Sequence, residues 1–313
     1  MPLELISQVA AGQGGMVTTG QALAAGLSRD QVRQLWRSGR WTRLARGCFA
    51  PYGKPTDPLV NRARIRAAVA SLGPGAFAVL DTAMELHGIA GLRRSSAVHV
   101  SVPVDQPRSQ RHSDPLLVVH QLTVSAGDIV RVAGTPVTSP LRTVTDVILR
   151  QSRYPAVSVL DSALNAGLIT AEDLAMAPAL LRGRRGAVAA RGYLVEADGR
   201  SQSPLESRSR LRCVDGGVPP DELQLEVRDE DGHLLGIGDL GWRAARLIAE
   251  ADGGGPHSTP DALFADRRRQ NRLINAGWRI LRFTWADTLR PDYIPWTVRQ
   301  AMTPNPTHPS TGC

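Results

Sequence analysis

Two stretches near the C-terminus constrain the fold of this 313-residue chain more than any other part of it. Leu235-Gly236-Ile237-Gly238-Asp239-Leu240 and Leu247-Ile248-Ala249-Glu250-Ala251-Asp252 read as apolar strands, yet both carry acids. With a side-chain period of two, Asp239 shares a face with Leu235 and Ile237, and Glu250 and Asp252 share one with Ile248. Carboxylates at the ends of apolar strands are costly unless something compensates their charge. A helix opens before them at Ser203-Pro204-Leu205-Glu206 and runs to about Cys213. Strands are predicted over Leu223–Val227, Leu235–Leu240 and Ala244–Ala251. A helix from Thr259-Pro260-Asp261 to Ala276 follows, and Gly277 leads into a last strand, Trp278–Phe283. The order helix, three strands, helix, strand predicts an α/β domain over about Ser201–Trp296, with Glu206, Asp239 and Glu250 gathered at one site.

A divalent metal would compensate such a cluster, since Mg²⁺ takes hard oxygen ligands from one or two carboxylates and keeps waters for chemistry. Phosphodiester cleavage uses that arrangement, because the metal lowers the pKa of a bound water and stabilises developing negative charge. Each acid also has a structural explanation. Glu206 is the third helical residue after Ser203, as in a capping box. Asp239 and Glu250 can pair with nearby arginines such as Arg246 or Arg282, and Asp252 before Gly253-Gly254-Gly255 suits a turn.

These residues resemble a family. The spacing Glu206 … Asp239 … Glu250-Ala251-Asp252 is similar to the PD-(D/E)XK nuclease superfamily. Ile237-Gly238-Asp239-Leu240, Glu250-Ala251-Asp252-Gly253, His257 and Asp266–Leu273, with the closing Gly277-Trp278-Arg279-Ile280-Leu281-Arg282-Phe283, resemble its very-short-patch-repair-like branch. The resemblance implies a restriction-endonuclease-like α/β domain with a four-stranded mixed sheet. It implies Asp239 and Glu250 as metal ligands for Mg²⁺, with Glu206 supporting them from the first helix and Asp252 adding to the set. The superfamily's usual lysine, two positions after the second strand acid, is Asp252 here, and no lysine follows Lys54. His257, Gln270 and Arg268 are the substitutes available, with His257 as the candidate proton carrier.

Charge marks the other end of the chain. Of 37 basic residues only Lys54 is lysine, an arginine bias that a GC-rich genome also produces, so position is more informative than the total. Residues 1–70 hold ten basic groups against three acidic ones, a +7 share of the overall +8. A basic front on a near-neutral remainder is the footprint of a nucleic-acid-facing module. Leu3–Ala11 and Thr19–Ala25 are predicted as two helices. Ser28 caps a third, with Asp30 in its first turn and Gly39 ending it. On that helix Arg29, Arg33, Arg37 and Arg40 fall on one stripe, with Val32, Leu35 and Trp36 on the adjoining apolar side. Trp41–Ala50 alternates around Leu44 and Phe49 as a β-wing does, placing Arg43 and Arg46 beside flanking phosphates. A recognition helix needs this pairing of a seated apolar face and a cationic one, and the planar fork of arginine suits phosphates and guanine edges. Solvated arginines on a surface helix remain the alternative.

Gly26-Leu27-Ser28-Arg29 … Leu35 … Gly39-Arg40-Trp41 … Arg46-Gly47-Cys48-Phe49-Ala50 resembles the winged helix of AbiEi-type antitoxins of type IV toxin–antitoxin systems. Thr82–Gly88 and Val137–Asp146 resemble the domain that follows it. That resemblance implies binding to double-stranded DNA at the promoter of the protein's own operon, and a cognate toxin encoded nearby. His87, ending an apolar helix ahead of Gly88, is read as a satisfied core or C-cap histidine.

The expected architecture is α+β and multidomain. It comprises a winged helix-turn-helix over 1–53, a mixed α/β middle domain over 58–154, a helical linker over 155–200, the endonuclease-like domain over 201–302 and a disordered Pro/Ser/Thr-rich tail over 303–313. The middle is predicted to hold helices at Leu59–Leu72, Leu80–His87 and Leu141–Leu149, and strands at Val98–Val102 and Leu116–Val119. Cys48, Cys213 and Cys313 make neither a disulfide framework nor a zinc spacing. No apolar run approaches the ~20 residues that span a bilayer, and the acidic Glu4 does not suit a signal peptide, so a cytoplasmic protein is expected. Two functions follow: a Mg²⁺-dependent DNA endonuclease targeted by a winged helix, or an AbiEi-like antitoxin and transcriptional autoregulator whose nuclease fold is inert. A weaker third is a partner-binding module in a phage-defence operon.

Overall fold

The computed structural model describes residues 2–51, 59–105, 116–253 and 260–303. The chain divides into two compact units, Met1–Arg150 with Met176–Arg182, and Gln151–Ala175 with Gly183–Cys313. The architecture is mixed α and β, with sheets of three, five and four strands.

The first unit opens with α1 (Pro2–Ala11), β1 (Val17–Thr18), α2 (Thr19–Ala24), α3 (Arg29–Arg37), β2 (Thr42–Ala45) and β3 (Cys48–Ala50). Thr18 and Ser28 begin α2 and α3 through reciprocal capping boxes with Gln21 and Gln31, each satisfying N–H groups that a helix start leaves unpaired. Ile6, Ala10, Val17, Ala22, Val32, Trp41 and Phe49 close over one another as the core, with the Trp41 and Phe49 rings 5.8 Å apart. The stretch Trp41–Ala50, read as a β-wing, is a hairpin turned at Gly47 (φ 71°) and completed by β1 as a third antiparallel strand in the order β1-β3-β2. This is the winged helix-turn-helix expected at the N-terminus.

Next come α4 (Leu59–Ser71), β4 (Phe77–Ala78), α5 (Leu80–His87), β5 (Val98–Ser101), β6 (Leu117–His120), β7 (Ile129–Val132), β8 (Thr135–Thr138) and α6 (Pro140–Ile148). The mixed sheet runs β6-β5-β4-β8-β7. Ala63 and Ala67 of α4 share an apolar seam with Met16 and Cys48 of the winged helix. Burial in that seam pushes the Cys48 thiol up to about 11, so it behaves as a small apolar group. His87 hydrogen-bonds through Nε2 to the Thr138 carbonyl at 2.7 Å, the satisfied state expected of it. The β7–β8 hairpin is invisible to composition because Ala133, not an Asn or Gly, takes the first positive φ (47°) of its turn.

In the second unit, α7 (Arg153–Asn165) and α9 (Ala187–Glu196) pack with one another; α8 (Ala171–Leu181), between them in sequence, belongs to the second unit up to Ala175 and to the first from Met176. Then follow α10 (Pro204–Asp215), β9 (Glu222–Arg228), β10 (Leu234–Trp242), β11 (Leu247–Ala251), α11 (Pro260–Asn275), β12 (Arg279–Phe283) and α12 (Tyr293–Met302), the last without a counterpart in the sequence reading. Residues 155–165 of the expected linker pack, as part of α7, on α10. The four strands run β12-β11-β10-β9 and are antiparallel except for β11–β12, a parallel pair joined by the α11 crossover. One face buries Leu240, Trp242, Leu247 and Phe283 against Cys213 of α10 and Ile294 and Val298 of α12. The other buries Leu225, Val227 and Ile248 against Leu273 of α11. A Cβ at Gly236 would lie 3.0 Å from Leu273 Cδ1 and 3.2 Å from Arg269 Cγ, so the missing side chain lets α11 settle close on β10. That approach brings Arg269 onto the acidic strands.

Candidate nucleic-acid interface and acidic cluster

On the winged helix, Val32 is buried and Leu35 half-buried, which seats α3. Arg29, Arg33 and Arg37, one turn apart, are all exposed along its outer side. Arg33 lies 3.4 Å from Asp30, both largely in solvent, so the pair is weak and the guanidinium free to swing. Two expected placements change. Arg40 is not on the helical stripe: α3 ends at Arg37, Ser38 caps it, and Gly39 (φ 75°) turns the chain before Arg40. Trp36 is 38% exposed and not part of the apolar seat, with the Arg43 guanidinium 5.1 Å from its ring. That stacking carries an arginine of the wing onto the outer surface of the helix. Arg40, Arg43 and Arg46 are also exposed. All six arginines of this helix-turn-helix and its hairpin are thus open to solvent.

The acidic residues converge only in part. Glu206 is buried at the start of α10, where Ser203 Oγ accepts its N–H at 3.2 Å. The reciprocal half of the expected capping box is absent. Its carboxylate instead accepts from the Gln202 N–H at 2.8 Å and from Gln224 Nε2 at 2.9 Å. Gln224 makes that contact from a left-handed backbone (φ 54°) that L-residues rarely adopt, and its side chain also favours the ionised form of Asp239. Strain of this kind is held only where surrounding contacts over-determine it. Asp239 Oδ2 accepts the Ala251 N–H at 2.7 Å. Burial pushes the carboxyls of Glu206 and Asp239 above their ordinary range; the Asp239 charge raises Glu206 further, while the Gln202 and Ala251 N–H groups pull each back.

Glu250 stands across the antiparallel ladder from Asp239, since Leu240 pairs with Ala249. It is held by cations. Arg269 Nη2 lies 2.7 Å from its Oε1 and Arg282 Nη2 3.2 Å from its Oε2. The first is a charge contact out of hydrogen-bond alignment, for Oε1 accepts no hydrogen bond. Both arginines also hold Asp266, at 2.8 and 2.7 Å, and the Arg282 guanidinium, followed by that of Arg269, keeps the Asp266 carboxyl below the usual range. Glu250, Asp266, Arg269 and Arg282 thus form a self-neutral ring. The charge of Asp252, exposed at the strand end, also reaches Arg282.

These residues do not fit a catalytic divalent ion. The two oxygens of Glu250 already face guanidiniums, and a cation there would have to displace both against their repulsion. Arg246, one sequence candidate for pairing the acids, donates to the Ala276 carbonyl instead. Arg268 is exposed, and His257 lies outside the described residues. Among the described residues, three metal-type side chains come within ligand distance only at Asp229, Asp231 and His233, an exposed hairpin turn of β9–β10. Arg269 went unnoticed in the sequence, although its spacing from Leu273 and the small Gly236 opposite were the available signals.

The raised carboxyls predict a pH signature. A carboxyl with a raised folded pKa favours the protonated native state, so its contribution to stability falls as pH rises from the unfolded value, about 3.9 for Asp, through the folded one. Asp239→Asn removes one of the two repelling charges and keeps an oxygen for the Ala251 N–H. Its melting temperature is expected to exceed the parent's at pH 7, with the gap closing towards pH 4. A gap that is absent at pH 7, or widens in acid, contradicts the assignment.

Comparison with known proteins agrees with the front of the chain. Residues 4–52 match the family described as "Transcriptional regulator, AbiEi antitoxin", and residues 76–197 match "AbiEi antitoxin C-terminal domain". Neither matched region includes Glu206, Asp239 or Glu250. Two Mycobacterium tuberculosis proteins, uncharacterized protein MT2308 (strain CDC 1551 / Oshkosh) and uncharacterized protein Rv2248 (strain ATCC 25618 / H37Rv), are each 32% identical over 264 residues, 84% of this chain and 93% of theirs. The crystal structure of RV2827C protein from Mycobacterium tuberculosis aligns over 74% of this chain and 86% of that one at 18% identity, with a TM-score of 0.41, too distant to carry weight. No helix among the described residues is long and apolar enough to cross a membrane. On its two matched domains, which together span more than half its length, the chain belongs to the AbiEi antitoxin family.

Proposed function

We propose that this protein is a DNA-binding transcriptional regulator of the antitoxin type, reading double-stranded DNA upstream of its own gene and paired with a toxin encoded nearby. The observation that carries this reading is the exposed stripe Arg29, Arg33 and Arg37 on a capped, seated helix within the region matching AbiEi regulators. Arg40, Arg43 and Arg46 extend the cationic surface towards flanking phosphates.

The C-terminal domain is read as a restriction-endonuclease-like fold of the very-short-patch-repair-like branch, without turnover. Its helix, three strands, helix, strand order and its four-stranded mixed sheet support the likeness. The absence of lysine after Lys54 and the hold of Arg269 and Arg282 on Glu250 favour inertness over Mg²⁺-dependent cleavage. In this reading arginine takes over the charge compensation that a metal gives an active nuclease.

Gel-shift titration with the DNA upstream of the gene, beside an unrelated duplex, tests the regulator, and supercoiled-plasmid nicking with Mg²⁺ or Mn²⁺ tests the domain. Tighter binding of the upstream fragment by at least ~10³-fold, the lower range for specific over non-specific DNA, is expected, with no nicking. Equal affinity for both duplexes would reject the regulator. Nicking that disappears in Glu250→Ala would reject inertness.

A further inference from the structure

One side of α10 carries Arg208 and Arg212, a single turn apart, and both are half-buried. The Arg208 guanidinium lies between two rings, 5.2 Å from Tyr154 and 4.9 Å from Trp285. That of Arg212 is 4.6 Å from the Tyr154 ring, and Arg153 approaches the same ring at 5.6 Å. The Nε groups are used inside the protein: Arg208 donates to Thr288 Oγ1 at 3.3 Å and Arg212 to the Thr288 carbonyl at 2.8 Å. Both forks are therefore aimed by the fold.

Neither fork meets a carboxylate among the described residues. Asp215, on the same helix, gives one oxygen to Arg153 Nη1 at 2.5 Å and the other to the Tyr154 hydroxyl, although its charge is felt by Arg212. Burial, and then repulsion from Arg212, make Arg208 a weaker base than a free arginine. Like charges at this spacing oppose helix formation, so an unpaired, stacked couple is a poor structural device. It is a good anion receptor: the planar forks match the tetrahedral oxygens of phosphate. Trp285 remains 41% exposed beside them, leaving aromatic surface for a sugar or base.

We infer that Arg208 and Arg212, framed by Tyr154 and Trp285, form a second DNA-backbone contact site on the C-terminal unit, separate from the recognition helix. DNA is the occupant favoured over an acidic peptide because the site pairs phosphate forks with an open aromatic ring, and because the chain carries a second module for the same polymer. Two linked contacts on one polymer multiply in affinity without any new contact. The inference stands on the geometry of α10 and does not require the winged helix to read a particular sequence.

The test uses the full chain and a fluorescein-labelled duplex of unrelated sequence, followed by anisotropy across a salt series. Arg208→Gln with Arg212→Gln is expected to weaken binding at least tenfold and to reduce the log–log salt slope by about 1.8, two phosphate contacts at about 0.9 each. Arg208→Lys with Arg212→Lys keeps the slope and loses affinity, since the charge remains and the fork does not. Both effects persist in an Arg33→Ala, Arg37→Ala background, which separates this site from the winged helix. DNA quenches tryptophan fluorescence in the parent, and Trp285→Phe abolishes that component. An unchanged slope in the Gln pair, or competition by polyglutamate as effective as by DNA at equal charge, overturns the inference. Should the Gln pair unfold, phenylglyoxal labelling of the parent decides: DNA protects Arg208 and Arg212 if the site is real, and equal labelling with and without DNA overturns it.

Discussion

Changing Arg33 and Arg37 together to alanine is expected to weaken binding to the upstream promoter on the order of 100-fold at about 0.15 M salt, each base or phosphate contact of an arginine being worth about 1–3 kcal/mol. Both side chains are exposed on the outer face of α3, and neither packs in the core formed by Val32, Trp41 and Phe49. The thermal transition should therefore stay where it is while affinity falls. Removing only the loose 3.4 Å contact of Arg33 with Asp30 changes stability little. If the two arginines touch phosphates, the salt dependence flattens with the affinity; if they read base edges, affinity falls mainly on the cognate sequence and the slope holds. Anisotropy titrations of cognate and scrambled duplexes at several salt concentrations separate these outcomes. Retention of full affinity on both duplexes removes α3 as the recognition element.

The second large effect concerns stability. Asp161, fully buried in α7, accepts from Arg210 Nη2 at 3.0 Å and from the Asp198 N–H at 2.7 Å. Arg210, itself buried, also donates to the Glu196 carbonyl at 2.9 Å. Burial pushes the Asp161 carboxyl up and the Arg210 charge pulls against it. With two donors aimed at its oxygens, the ionised form is the one this geometry accommodates. Asp161→Ala leaves a buried guanidinium without its counter-charge and a backbone N–H without an acceptor. Breaking a buried pair from one side costs about 3–5 kcal/mol, or ~6–20 °C in melting temperature for a domain of this size. The Asp161→Ala, Arg210→Met double variant is expected to recover much of that loss, because it removes the stranded charge as well. A single variant that melts with the parent contradicts the assignment of this pair as the clasp between α7 and α10.

Elements whose signals are local and repeated are legible in the order of residues alone. Ser28 with Asp30 in the first turn, the apolar Val32 and Leu35, and Gly39 past the end define α3 to within a residue or two, since caps and the 3.6 period act over neighbouring positions. The same holds for the helix, three strands, helix, strand order and for the acids on β10 and β11. The two-residue strands β1 and β4 are too short to show a period and form because β3, β5 and β8 offer them hydrogen bonds, while β7 and β8 escape notice because their turn lacks the usual residue at Ala133. Pairing was likewise beyond reach of spacing. Long guanidinium side chains choose carboxylates by distance in space, so Glu250 meets Arg269 and Arg282 while the equally plausible Arg246 turns to a helix end. Whether strand acids hold a metal or an arginine depends on how closely α11 approaches the sheet, and that distance exists only once the chain has packed.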